Sequence, residues 1–211
     1  MDIIKKAESV RTKLKDQNDF SVNPIDMSLP VIPSFIGKDE IKLIIIGQDP
    51  TIRNIATRKK ITSTLNLDKK NALKVYASEI CKGLGVGTEN IYATNLFKYF
   101  YTIPPAETPE VLQEHLEPNL ELLKNEIAEY ENIPVITFGE PVLQLLTNNK
   151  TKVRTYWDYN KKIALSSGNF LFSNASENKL NRIFFPFPHQ PSLRKVFYKN
   201  TLEDYIRFMR R

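Results

Sequence analysis

Ile41-Lys42-Leu43-Ile44-Ile45-Ile46-Gly47-Gln48-Asp49-Pro50 is the stretch on which the fold turns. Residues 41–46 are almost continuously apolar, and the run stops at a glycine followed by two polar residues and a proline. A strand with one face in water alternates apolar and polar side chains, whereas a strand covered on both faces has no reason to. The run therefore predicts a central strand of a parallel sheet. Three further stretches share its form: residues 91–96, residues 134–138 ending at Gly139, and residues 183–187.

Helical patterns lie between and around these strands. Ile3, Ile4, Ala7, Val10 and Leu14 fall on one helical face. Residues 18–40 carry Pro24, Pro30 and Pro33 without a clear period and read as a loop or wrapping segment. Asp68 is placed to cap a helix bearing Leu73, Tyr76, Ala77, Ile80, Cys81 and Leu84, closed by Gly85. Thr108-Pro109 opens another, with an apolar stripe of Leu112, Leu116, Leu120 and Leu123, which Pro118 is expected to kink or split. Pro141 starts a helix with Val142, Leu145 and Leu146. Residues 147–182, rich in Asn, Lys and Ser, are weakly patterned and leave room for a hairpin or an insertion. Asn200-Thr201-Leu202-Glu203 has the form of a capping box opening a last helix, with Leu202, Tyr205, Ile206 and Met209 facing inward. Alternation of strand and helix predicts an α/β fold with α/β/α layering about a central four-stranded parallel sheet. The expected organisation is one domain over residues 1–211, with residues 1–40 an N-terminal helix and wrapping segment and residues 41–208 the core.

The chain has 211 residues, 41% of them hydrophobic, enough for one well-formed core. No run approaches the roughly 18 apolar residues of a membrane helix, so no membrane partner is expected. Residues 1–10 lack the apolar stretch and cleavage site of a secretory signal. The single cysteine, Cys81, excludes an internal disulfide and a four-cysteine metal or cluster site within one chain. A cytoplasmic monomer is expected. A net charge of +6 suits a polyanionic partner without demanding one.

In a parallel α/β sheet, ligands bind beyond the carboxyl ends of the strands. Three such ends carry residues with chemistry to offer. At Gly47-Gln48-Asp49-Pro50-Thr51, glycine permits close backbone approach and proline stiffens the chain, fixing a carboxylate at the mouth of the sheet; the same residues also build ordinary turns. Asn95 ends the second strand with a donor and an acceptor on one planar group, a match for the edge of a pyrimidine, although asparagine more often satisfies loop backbone. His189 sits between Pro188 and Pro191 after an apolar strand, either packed against backbone or presented to a ligand. The other histidine, His115, lies within a helical pattern and reads as structural. Tyr92, Phe97, Tyr99, Phe100 and Tyr101 gather around the second strand end, where core packing is the commoner role and base stacking the alternative. Arg58-Lys59-Lys60 is either a phosphate contact or a solvated loop.

Taken together and in order, these segments resemble the uracil-DNA glycosylase superfamily across roughly residues 41–208. Gly47-Gln48-Asp49-Pro50 is similar to its GQDP segment, and Asn95 to its base-reading asparagine. Phe138-Gly139 resembles the strand–glycine–helix of its third unit, and His189-Gln190-Pro191-Ser192-Leu193 its HPSPL loop. Thr51 stands where the classical enzymes have a tyrosine beside the pyrimidine C5. Residues 58–67 hold no aromatic to stack on the base, with Ile61 and Leu65 as poor substitutes. Pro191 occupies the place of the phosphate-binding serine, with Ser192 next door.

The resemblance implies cleavage of the N-glycosidic bond of uracil or another damaged base flipped out of single- or double-stranded DNA. Asp49 and His189 would be catalytic. Gln48, Pro50, Thr51 and Asn95 would hold the base, with Leu193 filling the vacated stack and Ser192, Arg194 and Lys195 holding phosphates. No metal or cofactor is implied. The alternatives are a member of the same fold that grips nucleic acid without cleaving it and, more weakly, a hydrolase of a small nucleoside, against which the positive charge argues.

Overall fold

A computed structural model describes residues 2–17, 22–148, 151–157 and 170–211. In chain order the regular elements are α1 (Ile3–Gln17), β1 (Phe35–Ile36), β2 (Leu43–Gly47), α2 (Ile55–Arg58), α3 (Ala72–Leu84), β3 (Ile91–Asn95), α4 (Glu110–Glu114), α5 (Leu116–Ile127), β4 (Val135–Phe138), α6 (Glu140–Leu146), α7 (Val153–Tyr156), β5 (Phe185–Phe187) and α8 (Val196–Met209). They are joined in places by short 3-10 turns. The sheet runs β1-β3-β2-β4-β5. Its four long-range neighbours β3, β2, β4 and β5 are parallel, as the apolar runs predict. Two residues from the wrapping segment add a fifth, antiparallel edge strand, Phe35 pairing with Ala93 and Ile36 with Tyr92. This edge is only two residues long, too short to show a period, so no sequence pattern announces it.

Register explains the layering. Thr94, Ile46 and Thr137 are paired across β3, β2 and β4, so their side chains share one face of the sheet; Asn95 and Gly47, the next pair along, point to the other, with Phe138 following Thr137 on that same side. Thr94 meets Glu126 of α5, and α1 packs on α5, on the first face. Phe138 stacks on Tyr76 of α3 at 5.1 Å, and α8 packs beside α3, on the second. Every residue of β2 is buried, which is why the run 41–46 needs no polar alternation. Trp157, stacked on Tyr205 at 4.3 Å and donating to the Pro186 carbonyl at 2.6 Å, locks α8 over β5. Among the described residues no helix is long and apolar enough to cross a membrane.

Three boundaries differ from expectation. Asn71, not Asp68, caps α3, its side chain accepting from Lys74 N at 2.8 Å. Asp68 is already engaged by the hydroxyls of Thr62 (2.7 Å) and Ser63 (2.5 Å). The helical stretch after Pro109 does break, but at His115, leaving Pro118 in the first turn of α5, where a missing N–H costs nothing. α8 begins at Val196, ahead of the apparent capping box; Asn200 and Glu203 are ordinary helical residues, and Thr201 Oγ1 donates back to the Phe197 carbonyl. Tyr205 and Ile206 are buried and Leu202 and Met209 partly so, as the helical pattern requires. Of the weakly patterned stretch 147–182, residues 149–150 and 158–169 lie outside the described residues. The remainder shows α7 and isolated bridges from Thr147 to Asn178 and from Ser173 to Phe184.

Candidate active site

The carboxyl ends of β2 and β3 are joined beyond the sheet itself. Leu96 N donates to the Gly47 carbonyl and Phe97 N to the Gln48 carbonyl, both at 2.9 Å. Asn95 and Gly47 are register partners, and this pairing demands the glycine. A Cβ on residue 47 would come within 2.4 Å of Asn95 Oδ1 and 2.8 Å of Leu65 Cδ2, closer than atoms can approach. Asn95 is almost fully buried, and its Oδ1 has no hydrogen-bond partner. Buried acceptors are normally paired, so an unpaired one at the mouth of a sheet marks a place for a ligand donor.

Asp49 is held by its own loop. Thr51 N donates to Asp49 Oδ1 at 2.7 Å, and Thr51 Oγ1 accepts from Tyr101 N at 2.8 Å, tying the loop to the segment after β3. Arg58 completes the clamp. It is buried, donating through Nε to the Ile52 carbonyl (2.7 Å) and through Nη1 to those of Tyr101 (2.8 Å) and Thr102 (3.0 Å). Arg58 is therefore neither a phosphate contact nor a solvated residue: its guanidinium is spent on carbonyls that would otherwise lack donors. Burial pushes the Asp49 carboxyl up to about 6, against the opposing pull of the Thr51 hydrogen bonds, the Arg58 charge and Gln48.

His189 follows β5 in extended backbone (φ −62°, ψ 142°), and its loop is tied to α3 by the Tyr76 hydroxyl, which donates to the Pro188 carbonyl at 3.1 Å. Its ring is exposed at the rim, and partial desolvation lowers its pKa from the ordinary 6.5, favouring the neutral imidazole. Facing it, Gly139 takes φ +96°, a conformation that only glycine adopts freely, as it turns β4 into α6.

These ends open on one cleft of about 600 Å³. Gln48, Asp49, Pro50, Thr51, Asn95 and His189 all line it. Its walls are largely apolar, formed by Ile61, Leu65, Phe138, Pro141 and the turn Pro104-Pro105-Ala106. Phe138 stood out in the sequence only as the end of its strand before Gly139, and nothing local in the sequence said that it or the turn Pro104-Pro105-Ala106 would line a cleft. Ser192, Leu193, Arg194 and Lys195 do not line the cleft. They form the adjoining turn Gln190–Arg194 and the start of α8, with Arg194 and Lys195 exposed and Leu193 half-buried against the core. Tyr92, Phe97, Tyr99, Phe100 and Tyr101 are all buried in the core, and none lines the cleft. His115 is likewise core, its Nδ1 2.9 Å from the Tyr101 hydroxyl. Among the described residues, no three His, Cys, Asp or Glu side chains gather to hold a metal ion.

The arrangement presents an ionisable carboxylate, a carboxamide with an unpaired oxygen and a neutral imidazole to one apolar-walled cleft. No curated protein matches the chain. The family model of the uracil DNA glycosylase superfamily matches residues 33–208, from just before the edge strand to the end of α8. On that match, which spans every strand of the sheet and all three chemical groups of the cleft, the chain belongs to the uracil-DNA glycosylase superfamily.

Proposed function

We propose that this protein hydrolyses the N-glycosidic bond of a uracil or other damaged base flipped out of DNA. The observation that carries the reading is the meeting of Asp49, Asn95 and His189, from three separate strand ends, in one cleft. As the C1′–N bond breaks, positive charge develops on the sugar and negative charge on the base. Ionised Asp49 stabilises the first and takes a proton from the attacking water, whose oxygen bonds to C1′. Neutral His189 donates a hydrogen bond to a carbonyl oxygen of the departing base, where the second collects. Asn95 Oδ1 accepts an N–H from the base edge, and the backbone at Gln48 and Pro50 lies against the base. The base must leave the helical stack to reach the cleft, at a cost of a few kcal/mol. Ser192, Arg194 and Lys195 on the neighbouring turn hold the phosphates, and Leu193 fills the vacated stack.

Oligonucleotides carrying uracil, hypoxanthine or mismatched thymine test the proposal through alkali-labile abasic product. Release from at least one is expected, and none from any at high enzyme concentration would exclude it. The aliphatic walls of Ile61 and Leu65, where a stacking ring is expected, favour a second reading in which the cleft grips a base without releasing it. That reading requires salt-sensitive binding indifferent to Asp49→Asn.

Because Asp49 acts ionised and burial raises its pKa to about 6, base release is expected to climb with pH through about 6 and then level off. His189, shifted downward, stays neutral across the plateau. A pH–rate profile with its acid limb near 4 would contradict the role given to Asp49. Gly47→Ala is expected to lower kcat/KM by about 10²-fold by pushing Asn95 or Leu65 out of place, an effect of the size that a 1 Å misplacement produces.

A further inference from the structure

The wall of the cleft contains a second amide with the same peculiarity as Asn95. Leu65 and Asn66 are consecutive residues in left-handed backbone, at φ 56° and φ 54°. Asparagine tolerates that region; a leucine there is a true outlier that its surroundings must enforce. They do so through Thr64, whose N and Oγ1 both donate to the Pro33 carbonyl (2.9 and 3.1 Å), and through Asn66 itself. Asn66 N donates to the Ser63 carbonyl at 3.0 Å, and its own carbonyl accepts from Asn71 Nδ2 at 2.6 Å and Lys69 N at 3.1 Å. The backbone of Asn66 is thus fully used, yet its side-chain Oδ1 is buried with no partner, and the residue lines the same cleft as Asn95 and Asp49. Strained backbone held by surrounding bonds, ending in an unpaired buried acceptor at a ligand cleft, is the pattern of a preorganised contact.

We propose that Asn66 is a second base-reading carboxamide, a specificity-determining residue that hydrogen-bonds a nucleobase on an edge that Asn95 does not reach. The ligand class is a lactam nucleobase with a polar group, N–H or carbonyl, on each of two edges. This rests on the glycosylase reading of the cleft. A carboxamide turned about its last bond still presents a donor or an acceptor, so the contact survives either orientation of the group. With aliphatic Ile61 and Leu65 in the segment where a stacking ring is expected, two amides from separate segments would help to orient the base.

The test is Asn66→Gly, which keeps the left-handed turn while deleting the side chain. Single-turnover rates would be measured for wild type and variant on oligonucleotides carrying uracil, hypoxanthine or xanthine, beside a thermal melt. The variant is expected to melt like wild type and to lose about tenfold in kcat/KM on the preferred base, the scale of one hydrogen bond. The other bases should be nearly unaffected, so that the preference narrows. An unchanged variant, or one slowed equally on every base as a loosened loop would be, overturns the assignment and leaves the glycosylase reading standing. A wild type that releases no base overturns both.

Discussion

Asp49→Asn is expected to cut base release by about 10²–10⁴-fold, the range contributed by a positioned acid or base, while leaving a folded protein that is more stable than the wild type at neutral pH. The two effects share one cause. The carboxyl is held at about 6 rather than the ordinary 3.8, so the folded state binds its proton more tightly than the unfolded chain does. Stability that the wild type has below about pH 4 is therefore lost as pH rises through about 6. An asparagine has no proton to lose and keeps the Oδ1 that accepts from Thr51 N. The difference in favour of the variant should open between those two values and stay constant above. Urea unfolding at several pH values, paired with single-turnover base release, checks both halves. A variant that retains activity removes Asp49 from the chemistry, and one less stable than wild type at pH 8 shows that the carboxylate was holding the loop together.

Lys98→Met is expected to be the most destabilising single substitution outside the apolar core, costing about 3–5 kcal/mol, because it strands a buried charge. Lys98 and Glu126 are both nearly inaccessible to water and their charged groups are 2.5 Å apart. Lys98 Nζ also donates to Thr94 Oγ1 and to the Asn95 carbonyl (3.3 Å). Glu126 Oε1 accepts from the hydroxyls of Ser34, Tyr92 (2.8 Å) and Thr94 (3.0 Å). The pair and its ring of hydroxyls pin the end of β3 to α5 and to the segment before β1. Removing the ammonium leaves the carboxylate with hydroxyl donors but no countercharge. Replacing both residues by apolar ones of similar size, Lys98→Met with Glu126→Leu, should recover a large part of the loss, as buried pairs elsewhere do. Chemical denaturation of the single and double variants measures this, and a single substitution costing under about 1 kcal/mol would show the pair to be solvated rather than buried. The same bond from Lys98 to the Asn95 carbonyl lies directly behind the cleft, so the single variant should also lose activity at temperatures where it remains folded.

How far the site was legible can be judged residue by residue. Asp49, Asn95 and His189 could be picked out because each follows an apolar run, and the end of such a run is the mouth of a parallel sheet whatever else the chain does. Arg58 could not be read correctly: in a row of three basic residues it looks like its neighbours, and only the approach of the Tyr101 and Thr102 carbonyls gives it a buried role. Glu126 sits in a helix rich in charge and resembles a surface residue until Lys98, 28 positions earlier, is folded against it. Asn66 carries no motif, because its interest lies in a backbone conformation and an unpaired oxygen, neither of which is written in residue type.

By itself the sequence determined the parallel α/β core, the order of its strands along the chain and the three strand ends that carry the candidate site, because burial on both faces and the stop after each strand are local properties recorded as runs and breaks. Only the tertiary structure decided that those ends share one cleft, that Phe138 and the turn Pro104-Pro105-Ala106 wall it beside Ile61 and Leu65, and that Arg58, Lys98 and Glu126 support it from within. Those are matters of which distant groups meet once water is excluded. The free energy of a charge or an amide depends on its partners in space, and these were assigned only when the sheet closed under its helices.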